Sequence, residues 1–181
     1  MLLEAGKATL LLIDIQERLL PAMAAPETVI AKSKILLAAA RELSLPVAIS
    51  EQYPKGLGPT VSDLRSNDAQ VFEKLSFSCW RDATLNAHFV GHHDVGRPLV
   101  VVAGIEAHVC VLQTCIDLAN AGFGVFAVAD AMSSRQQASA DLAFARMAQS
   151  GVQVINTEMA VFELLEKAGS AQFKALSGLV R

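Results

Sequence analysis

Long apolar runs and basic clusters are both missing from this chain of 181 residues. No segment approaches about 18 consecutive apolar residues, so we expect no membrane span. No run of lysine and arginine is long enough to follow a phosphate backbone, and the formal net charge is −3, which argues against a nucleic-acid partner. Hydrophobic residues nevertheless make up 52% of the chain. That composition is sufficient for a large core, and the length fits a single domain over residues 1–181.

Cysteine is scarce, with only Cys79, Cys110 and Cys115 present. An odd number without metal-type spacing predicts free thiols rather than a disulfide framework or a zinc site. Free thiols are typical of a reducing compartment, so we expect a cytoplasmic protein. The apolar run over residues 8–13 is too short for the core of a secretory signal, which agrees with that expectation.

Apolar strand patterns alternate with helical patterns along most of the chain. The predicted strands are Thr9–Ile13, Pro46–Ser50, Gln70–Lys74, Leu99–Ala103, Val125–Ala129 and Val152–Ile155. The predicted helices cover residues 28–43, 82–90, 107–121, 134–149 and 158–167. This alternation predicts a Rossmann-like α/β fold with three layers, in which a six-stranded parallel sheet carries helices on both faces.

Side chains able to carry chemistry follow several of these strands. They are Asp14, Glu51, Lys74, Cys110 and Asp130. Because ligands bind beyond the carboxyl ends of the strands in open parallel sheets, we expect these side chains to gather at one rim. The long loop over residues 51–68, rich in glycine and proline, is expected to border the same site.

Asp14, Lys74 and Cys110 make chemical sense as a set. A cysteine at a strand-to-helix junction lies where backbone N–H groups favour the thiolate, and a nearby ammonium would favour it further. A carboxylate can take the thiol proton and later pass it to a leaving group. Each residue also has a purely structural interpretation: a packing thiol, a helix cap and an exposed strand end. Their predicted position at one rim favours the catalytic interpretation.

Three motifs carry a resemblance to a known family: residues 11–16 (LLIDIQ), 72–78 (FEKLSFS) and 104–110 (GIEAHVC). In order and spacing they resemble those of the isochorismatase-like cysteine hydrolases, most closely the isochorismatase-domain-containing branch. The resemblance implies that Cys110 is the nucleophile, Asp14 the general base and acid, and Lys74 its electrostatic partner.

The resemblance further implies a cis peptide bond between Ile105 and Glu106. It also implies an oxyanion hole made of the backbone N–H groups of Glu106 and Cys110. The implied reaction is hydrolysis of a small-molecule amide, carbamoyl or related C–N bond through a covalent thioester.

Two departures from family patterns narrow this expectation. Nicotinamidases of the superfamily carry a metal site after the second strand, but residues 50–54 (SEQYP) contain no histidine. We therefore expect no metal and no cofactor. True isochorismatases lack a cysteine nucleophile, so Cys110 argues against that activity. The alternative hypothesis is a non-catalytic or redox-active oligomeric protein of the same fold that binds small molecules, since an activated Cys110 would be prone to oxidation.

Five residues near the predicted rim are candidates for substrate binding: Gln16, Leu19, Tyr53, Phe77 and Trp80. Aromatic and apolar walls beside polar catalytic groups suit a small amide with an apolar part. Filling of the core is the alternative role for the apolar ones. Gln16, two residues after Asp14, either orients that carboxylate or touches the substrate.

The histidines favour structural roles. His88, His92 and His93 lie at a helix end, and a metal site there would need a further ligand and convergent geometry. His108 precedes Cys110 by two residues, a spacing that points the two side chains in different directions on a helix. The apolar character of the helix predicted at 107–121 indicates burial within the domain or between subunits, so we expect a homo-oligomer.

Overall fold

The computed structural model describes residues 1–180 and contains a six-stranded parallel sheet. Its strands are β1 (Ala8–Ile13), β2 (Val47–Gln52), β3 (Ala69–Lys74), β4 (Leu99–Ile105), β5 (Gly124–Ser133) and β6 (Gln153–Ile155). They pair in the order β3-β2-β1-β4-β5-β6. The predicted parallel sheet is thereby confirmed.

Helices cover both faces of the sheet, as predicted. They are α1 (Pro26–Glu42), α2 (Pro54–Leu57), α3 (Ala83–Asp94), α4 (Leu112–Asn120), α5 (Gln137–Gln149), α6 (Thr157–Leu165) and α7 (Ala171–Leu176). Helices α1 and α6 pack on one face, and α3, α4 and α5 pack on the other. No helix within residues 1–180 has the length and apolar character needed to cross a bilayer.

Residues 10–13 of strand β1 form an uninterrupted apolar run. Leu10 and Leu12 face the core cluster shared with α1 and α6, whereas Leu11 and Ile13 face the cluster shared with α3, α4 and α5. Successive side chains of a strand point to opposite faces, so a strand covered on both sides is apolar along most of its length. This central strand carries the chain to the rim at Asp14.

The fifth strand is longer than predicted, and this corrects the role of Asp130. The pairing of β5 with β4 shifts register between Val102 and Gly104, which allows β5 to continue through Ser133. Asp130 therefore lies inside the strand. Its carboxylate accepts hydrogen bonds from the backbone N–H and hydroxyl of Thr157, both at 2.8 Å, at the start of α6. Asp130 is a helix-capping residue and does not belong to the site at the rim.

The helix predicted at 107–121 divides into two parts. Residues Ala107–Val111 form a single π-helical turn, and α4 begins at Leu112. Cys110 lies in the π turn. Helix α7 was absent from the sequence prediction, and its short length left too little periodic signal to identify it.

The strand order reverses between β1 and β4, and that reversal creates the crevice in which such sheets bind ligands. Asp14 follows one of these strands, and Cys110 lies beyond the end of the other. Gly104 pairs with Ile13 at a φ of 132°, and a Cβ atom there would collide with the Ile13 backbone. Only glycine fits this close approach of the two strand ends.

Candidate active site

A buried ion pair forms the centre of the rim. The Lys74 ammonium lies 2.7 Å from Oδ2 of Asp14, and neither side chain is exposed to solvent. Strand β2, which lies between β1 and β3, supplies Ser50, whose hydroxyl donates to Oδ1 of Asp14 at 2.7 Å. The Asp14 backbone has a φ of 53° and its N–H donates to the Ser50 carbonyl. Both carboxylate oxygens of Asp14 are therefore held in place.

Lys74 is surrounded by oxygen atoms. Besides Asp14, its ammonium donates to Oε1 of Gln52 at 2.8 Å and to the carbonyls of Ser76 and Phe77 at 3.2 and 3.1 Å. Burial has the largest single effect on the pKa of Lys74 and lowers it. The charges of Asp14, Cys79 and Cys110 and the hydrogen bond to Asp14 together outweigh burial, so the net effect raises the pKa. The site thus contains a fixed ammonium cation.

Cys110 is 5% exposed, with its thiol beside the ion pair. Burial raises the pKa of Cys110, the charge of Asp14 raises it further, and the charge of Lys74 partly opposes both. The expectation of a thiolate stabilised at the helix start is therefore wrong for the unliganded protein. Desolvation and a neighbouring carboxylate outweigh the ammonium, so Cys110 is a thiol at neutral pH.

Glu106 opens the turn that contains Cys110. The peptide bond between Ile105 and Glu106 is cis. Within residues 1–180 the Glu106 N–H has no hydrogen-bond acceptor, so it is free to donate to a ligand. The Glu106 carboxylate is buried and accepts two hydrogen bonds from the Arg135 guanidinium, at 3.0 and 2.9 Å. That fork fixes the side chain of Glu106 and leaves its backbone N–H available.

A cavity of about 560 Å³ lies on the β3 side of the rim. Lys74 lines it, whereas Asp14 and Cys110 do not. Of the predicted substrate-binding residues, only Tyr53 lines this cavity. The Phe77 side chain is exposed, and Trp80 packs edge-to-face against Phe123 with ring centroids 5.6 Å apart. The rest of the lining comes from Pro54, Lys55, Glu73, Leu75, Ser76, Arg81, Asp82 and Ala83.

Gln16 and Leu19 lie behind the rim. Gln16 is fully buried, and its amide bonds to both backbone groups of Gln52, at 2.8 and 3.0 Å, and to the Gly58 carbonyl. These contacts tie the long loop to the end of β2. Leu19 packs against the core cluster on the α1 face. The structure therefore places Gln16 in support of the site.

Glu51 also supports the loop. Its Oε1 accepts hydrogen bonds from the backbone N–H and hydroxyl of Thr60, at 2.6 and 2.7 Å. The carboxylate is therefore engaged in holding the returning part of the loop.

The comparison with known proteins now decides the family. A sequence model described as "Isochorismatase domain" matches residues 8–159. The chain belongs to the isochorismatase domain family. The secreted isochorismatase effector Isc1 of Phytophthora sojae is 38% identical over 164 residues, which cover 85% of this chain and 75% of that protein.

Solved structures agree with the assignment. The MAR1 ribonuclease of Caenorhabditis elegans superposes with a TM-score of 0.91 at 33% identity, over 99% of this chain and 92% of that one. The YcaC gene product of Escherichia coli, described as an octameric hydrolase of unknown specificity, superposes with a TM-score of 0.89. At 24% identity, over 99% and 89% of the two chains, YcaC supports the fold alone. The family makes this chain an isochorismatase-family hydrolase.

Sequence reasoning missed four residues of this isochorismatase-family site: Ser50, Gln52, Thr114 and Arg135. Ser50 and Gln52 lie on β2, between the strands that carry Asp14 and Lys74, and that central position was the available signal. Thr114 contacts the backbone of the turn over residues 106–110, and Arg135 contacts the Glu106 side chain. A sequence pattern does not reveal such contacts.

Among the residues that the structure describes, the other thiols and the histidines of the hydrolase make no hydrogen bond to Asp14 or Lys74, although Cys79 lies close enough to Lys74 to interact with its charge. Cys79 and Cys115 are fully buried, and burial raises the pKa of Cys79 to about 11 although Lys74 is near. His108 Nδ1 lies 2.9 Å from the Ser134 hydroxyl, which anchors the ring to the end of β5. Within the described residues 1–180, no group of three histidine, cysteine or acidic side chains is placed to hold a metal ion.

Proposed function

We propose that the chain is a cysteine hydrolase that cleaves a small-molecule amide, carbamoyl or related C–N bond. Asp14, Lys74 and Cys110 would act as its catalytic triad. One observation carries the proposal: the buried Asp14–Lys74 ion pair, at 2.7 Å, stands beside the thiol of Cys110 at the crevice between β1 and β4. A buried ion pair contributes little net stability because desolvation of the two charges offsets their attraction, which favours a catalytic purpose for this one.

In the first half of the reaction, Asp14 removes the proton from the Cys110 thiol as sulfur attacks the carbonyl carbon. The carbonyl oxygen becomes an oxyanion, which accepts hydrogen bonds from the backbone N–H groups of Glu106 and Cys110. Collapse of this intermediate breaks the C–N bond. Asp14 returns the proton to the leaving nitrogen, and the acyl group remains on Cys110 as a thioester.

The second half reverses the proton path. Asp14 takes a proton from a water molecule, whose oxygen attacks the thioester carbon. The same two N–H groups hold the second oxyanion, and its collapse releases the carboxylic or carbamic acid. Asp14 then returns the proton to sulfur. Lys74 stays an ammonium throughout and balances the charge that moves between Asp14 and Cys110.

The raised pKa of Cys110 fits this order of events. A resident thiol needs a base at the moment of attack, and Asp14 is the adjacent carboxylate. The reaction so described uses side chains and backbone groups of the chain together with one water molecule. When the substrate binds, it displaces water from the Cys110 thiol and at the same time brings its carbonyl carbon next to the sulfur.

The cavity beside Lys74 supports a substrate of small-molecule size. Its volume of about 560 Å³ falls within the range typical of small-molecule sites. Tyr53 provides an aromatic wall, and Lys55 and Glu73 offer charges of opposite sign. A compact polar amide with one apolar portion fits this lining better than a purely apolar ligand.

The name of the nematode relative makes RNA cleavage a second candidate. The net charge of −3 and the burial of Asp14, Lys74 and Cys110 favour the small-molecule substrate. A fluorescently labelled RNA, incubated with the wild type and with Cys110→Ala, separates the two. Cleavage lost in the variant would favour the nuclease.

The direct test is release of ammonia or amine from a panel of primary amides, N-carbamoyl compounds and ureas. We expect turnover of at least one member by the wild type and none by Cys110→Ala or Asp14→Asn. Cys115→Ala, which removes a buried thiol from α4, is the matched control and should retain turnover. Turnover by Cys110→Ala equal to that of the wild type would contradict the proposal.

We also propose that the hydrolase is a cytoplasmic homo-oligomer. Exposed apolar side chains near the rim support self-association, and they are Tyr53, Val71, Leu75 and Phe77. Three unpaired thiols support a reducing compartment, although the Phytophthora relative is named as secreted. Light scattering tests whether the chain forms a homo-oligomer: a mass equal to one chain would contradict the proposal.

A further inference from the structure

We propose that Thr114 is a positioning residue that couples the loop holding Lys74 to the turn holding Cys110. This inference rests on the function proposed above. The Thr114 hydroxyl accepts a hydrogen bond from the Cys79 N–H at 2.9 Å and donates one to the Cys110 carbonyl at 2.7 Å. Thr114 is fully buried, so water does not compete for either bond.

The directions of these two bonds are unambiguous. A backbone N–H can only donate and a carbonyl can only accept, so the hydroxyl must accept from Cys79 and donate to Cys110. A threonine that donates to the carbonyl four residues earlier is common in helices. The bond from Cys79 is different, because it arrives from a separate segment 35 residues away in sequence. The hydroxyl therefore joins two parts of the site that no strand connects.

The chain of contacts continues from Cys79 to Lys74. The Lys74 ammonium donates to the carbonyls of Ser76 and Phe77, and the Ser76 hydroxyl donates to the carbonyl of Ser78. The loop over residues 76–79 thus holds the ammonium at one end and reaches the Thr114 hydroxyl at the other. Removal of the hydroxyl would leave this loop free to move relative to the nucleophile turn.

Catalysis is sensitive to such movement, because a displacement of about 1 Å can reduce a rate about 100-fold. Thr114 contacts the backbone around Cys110 rather than a reacting atom, so its effect should appear in the rate of the chemical step. Affinity for the substrate, which depends on the cavity beside Lys74, should change little.

The test uses p-nitrophenyl acetate, an activated ester that acylates a reactive thiol and releases a coloured product. Four variants are compared with the wild type: Thr114→Val, Thr114→Ala, Thr114→Ser and Thr157→Val. Valine and alanine remove the hydroxyl and serine retains it. Thr157→Val removes another fully buried hydroxyl, the one that bonds to Asp130 at the distant start of α6. Intact-protein and peptide mass spectrometry locate the acetyl group.

We expect the maximal rate of Cys110 acetylation to fall about 10- to 100-fold in Thr114→Val and Thr114→Ala. The half-saturating ester concentration should stay within about threefold, and Thr114→Ser should recover most of the rate. An undiminished rate in Thr114→Val or Thr114→Ala would overturn the inference, as would an equal fall in Thr157→Val. If the wild type acetylates no faster than Cys110→Ala, the proposed function fails instead. In that case, equal iodoacetamide labelling of Cys110 in Thr114→Val and the wild type would overturn the inference by itself.

Discussion

The two halves of the rim are held together by different means. On the β1–β3 side, Asp14 and Lys74 are fixed by bonds between side chains, with Ser50 and Gln52 as partners. We call these four residues the ion-pair half. On the β4 side, the geometry depends on the backbone: the close approach at Gly104, the free N–H of Glu106 and the π turn around Cys110. We call residues 104–110 the nucleophile half. The ion-pair half should therefore depend on contacts between side chains, whereas the nucleophile half should also be sensitive to changes in backbone geometry.

The largest effect should follow loss of the ammonium. Lys74→Met leaves the buried carboxylate of Asp14 without its counter-charge, which should lower the free energy of unfolding by about 3–5 kcal/mol. Turnover should fall at least about 100-fold, because Asp14, the proposed acid–base group, loses its partner. Urea denaturation followed by circular dichroism measures the stability, and the amide panel measures turnover.

The double variant Asp14→Asn with Lys74→Met supplies the control. It removes both charges, so it should be more stable than Lys74→Met alone by about 1–3 kcal/mol while remaining inactive. If the double variant were less stable than Lys74→Met, the unpaired charge of Asp14 would not be the cause of the instability.

A backbone change should be nearly as damaging in the nucleophile half. Gly104→Ala places a Cβ against the Ile13 backbone at a φ of 132°, so we expect a loss of about 2–4 kcal/mol in unfolding free energy. Gly122→Ala, at a φ of 93° in open space, tests strain without the collision and should cost about 1 kcal/mol. Equal losses of unfolding free energy in the two variants would show that the close approach of Gly104 to the Ile13 backbone is not what makes glycine necessary there.

The charges of the ion-pair half should influence the pKa of the Cys110 thiol in the nucleophile half. The rate of Cys110 alkylation by iodoacetamide across a pH series measures this influence. Because burial and Asp14 raise the pKa of the thiol, labelling of the wild type should still increase above about pH 9. Asp14→Asn removes a negative charge and should move the profile to lower pH. Lys74→Met removes a positive charge and should move it to higher pH. Shifts of the same sign in both variants would contradict the proposed arrangement.

Among the changes at the site itself, Ser50→Ala should have the smallest effect. This change removes one hydrogen bond to Asp14 but leaves the ion pair intact, so we expect a loss of about 1–2 kcal/mol in stability. Turnover should fall by less than in Lys74→Met. Thermal denaturation and turnover of the same preparation provide the comparison. A loss of activity equal to that of Lys74→Met would assign Ser50 a larger role than orientation.

The positions of Asp14 and Lys74 in the ion-pair half were predictable from the sequence of apolar and polar residue types alone. Continuous apolar runs located the strands, and the parallel arrangement then placed Asp14 and Lys74 at the same rim. Asp130 shows the limit of that reasoning. The pattern predicted that Asp130 ends a strand at the rim. A register shift instead extends β5 past it, and its carboxylate accepts a hydrogen bond from Thr157 at the start of α6.

The nucleophile half was less accessible from the residues. The position of Cys110 after β4 followed from the pattern, but its protonation did not, since burial and neighbouring charge depend on the packed structure. The division of one predicted helix into a π turn and α4, and the link through Thr114, likewise arise from tertiary contacts. Glu106 was identified only through the resemblance to the family.

If Asp14 activates Cys110 for covalent catalysis, loss of its carboxylate should slow acylation of the thiol. Wild type, Asp14→Asn, Cys115→Ala and Cys110→Ala are mixed with p-nitrophenyl acetate at pH 7, and intact mass is followed with time. We expect rapid acetylation of Cys110 in the wild type and in Cys115→Ala, slow acetylation in Asp14→Asn and none at this site in Cys110→Ala. Acetylation of Asp14→Asn at the wild-type rate, or modification of Cys79 in place of Cys110, would contradict it.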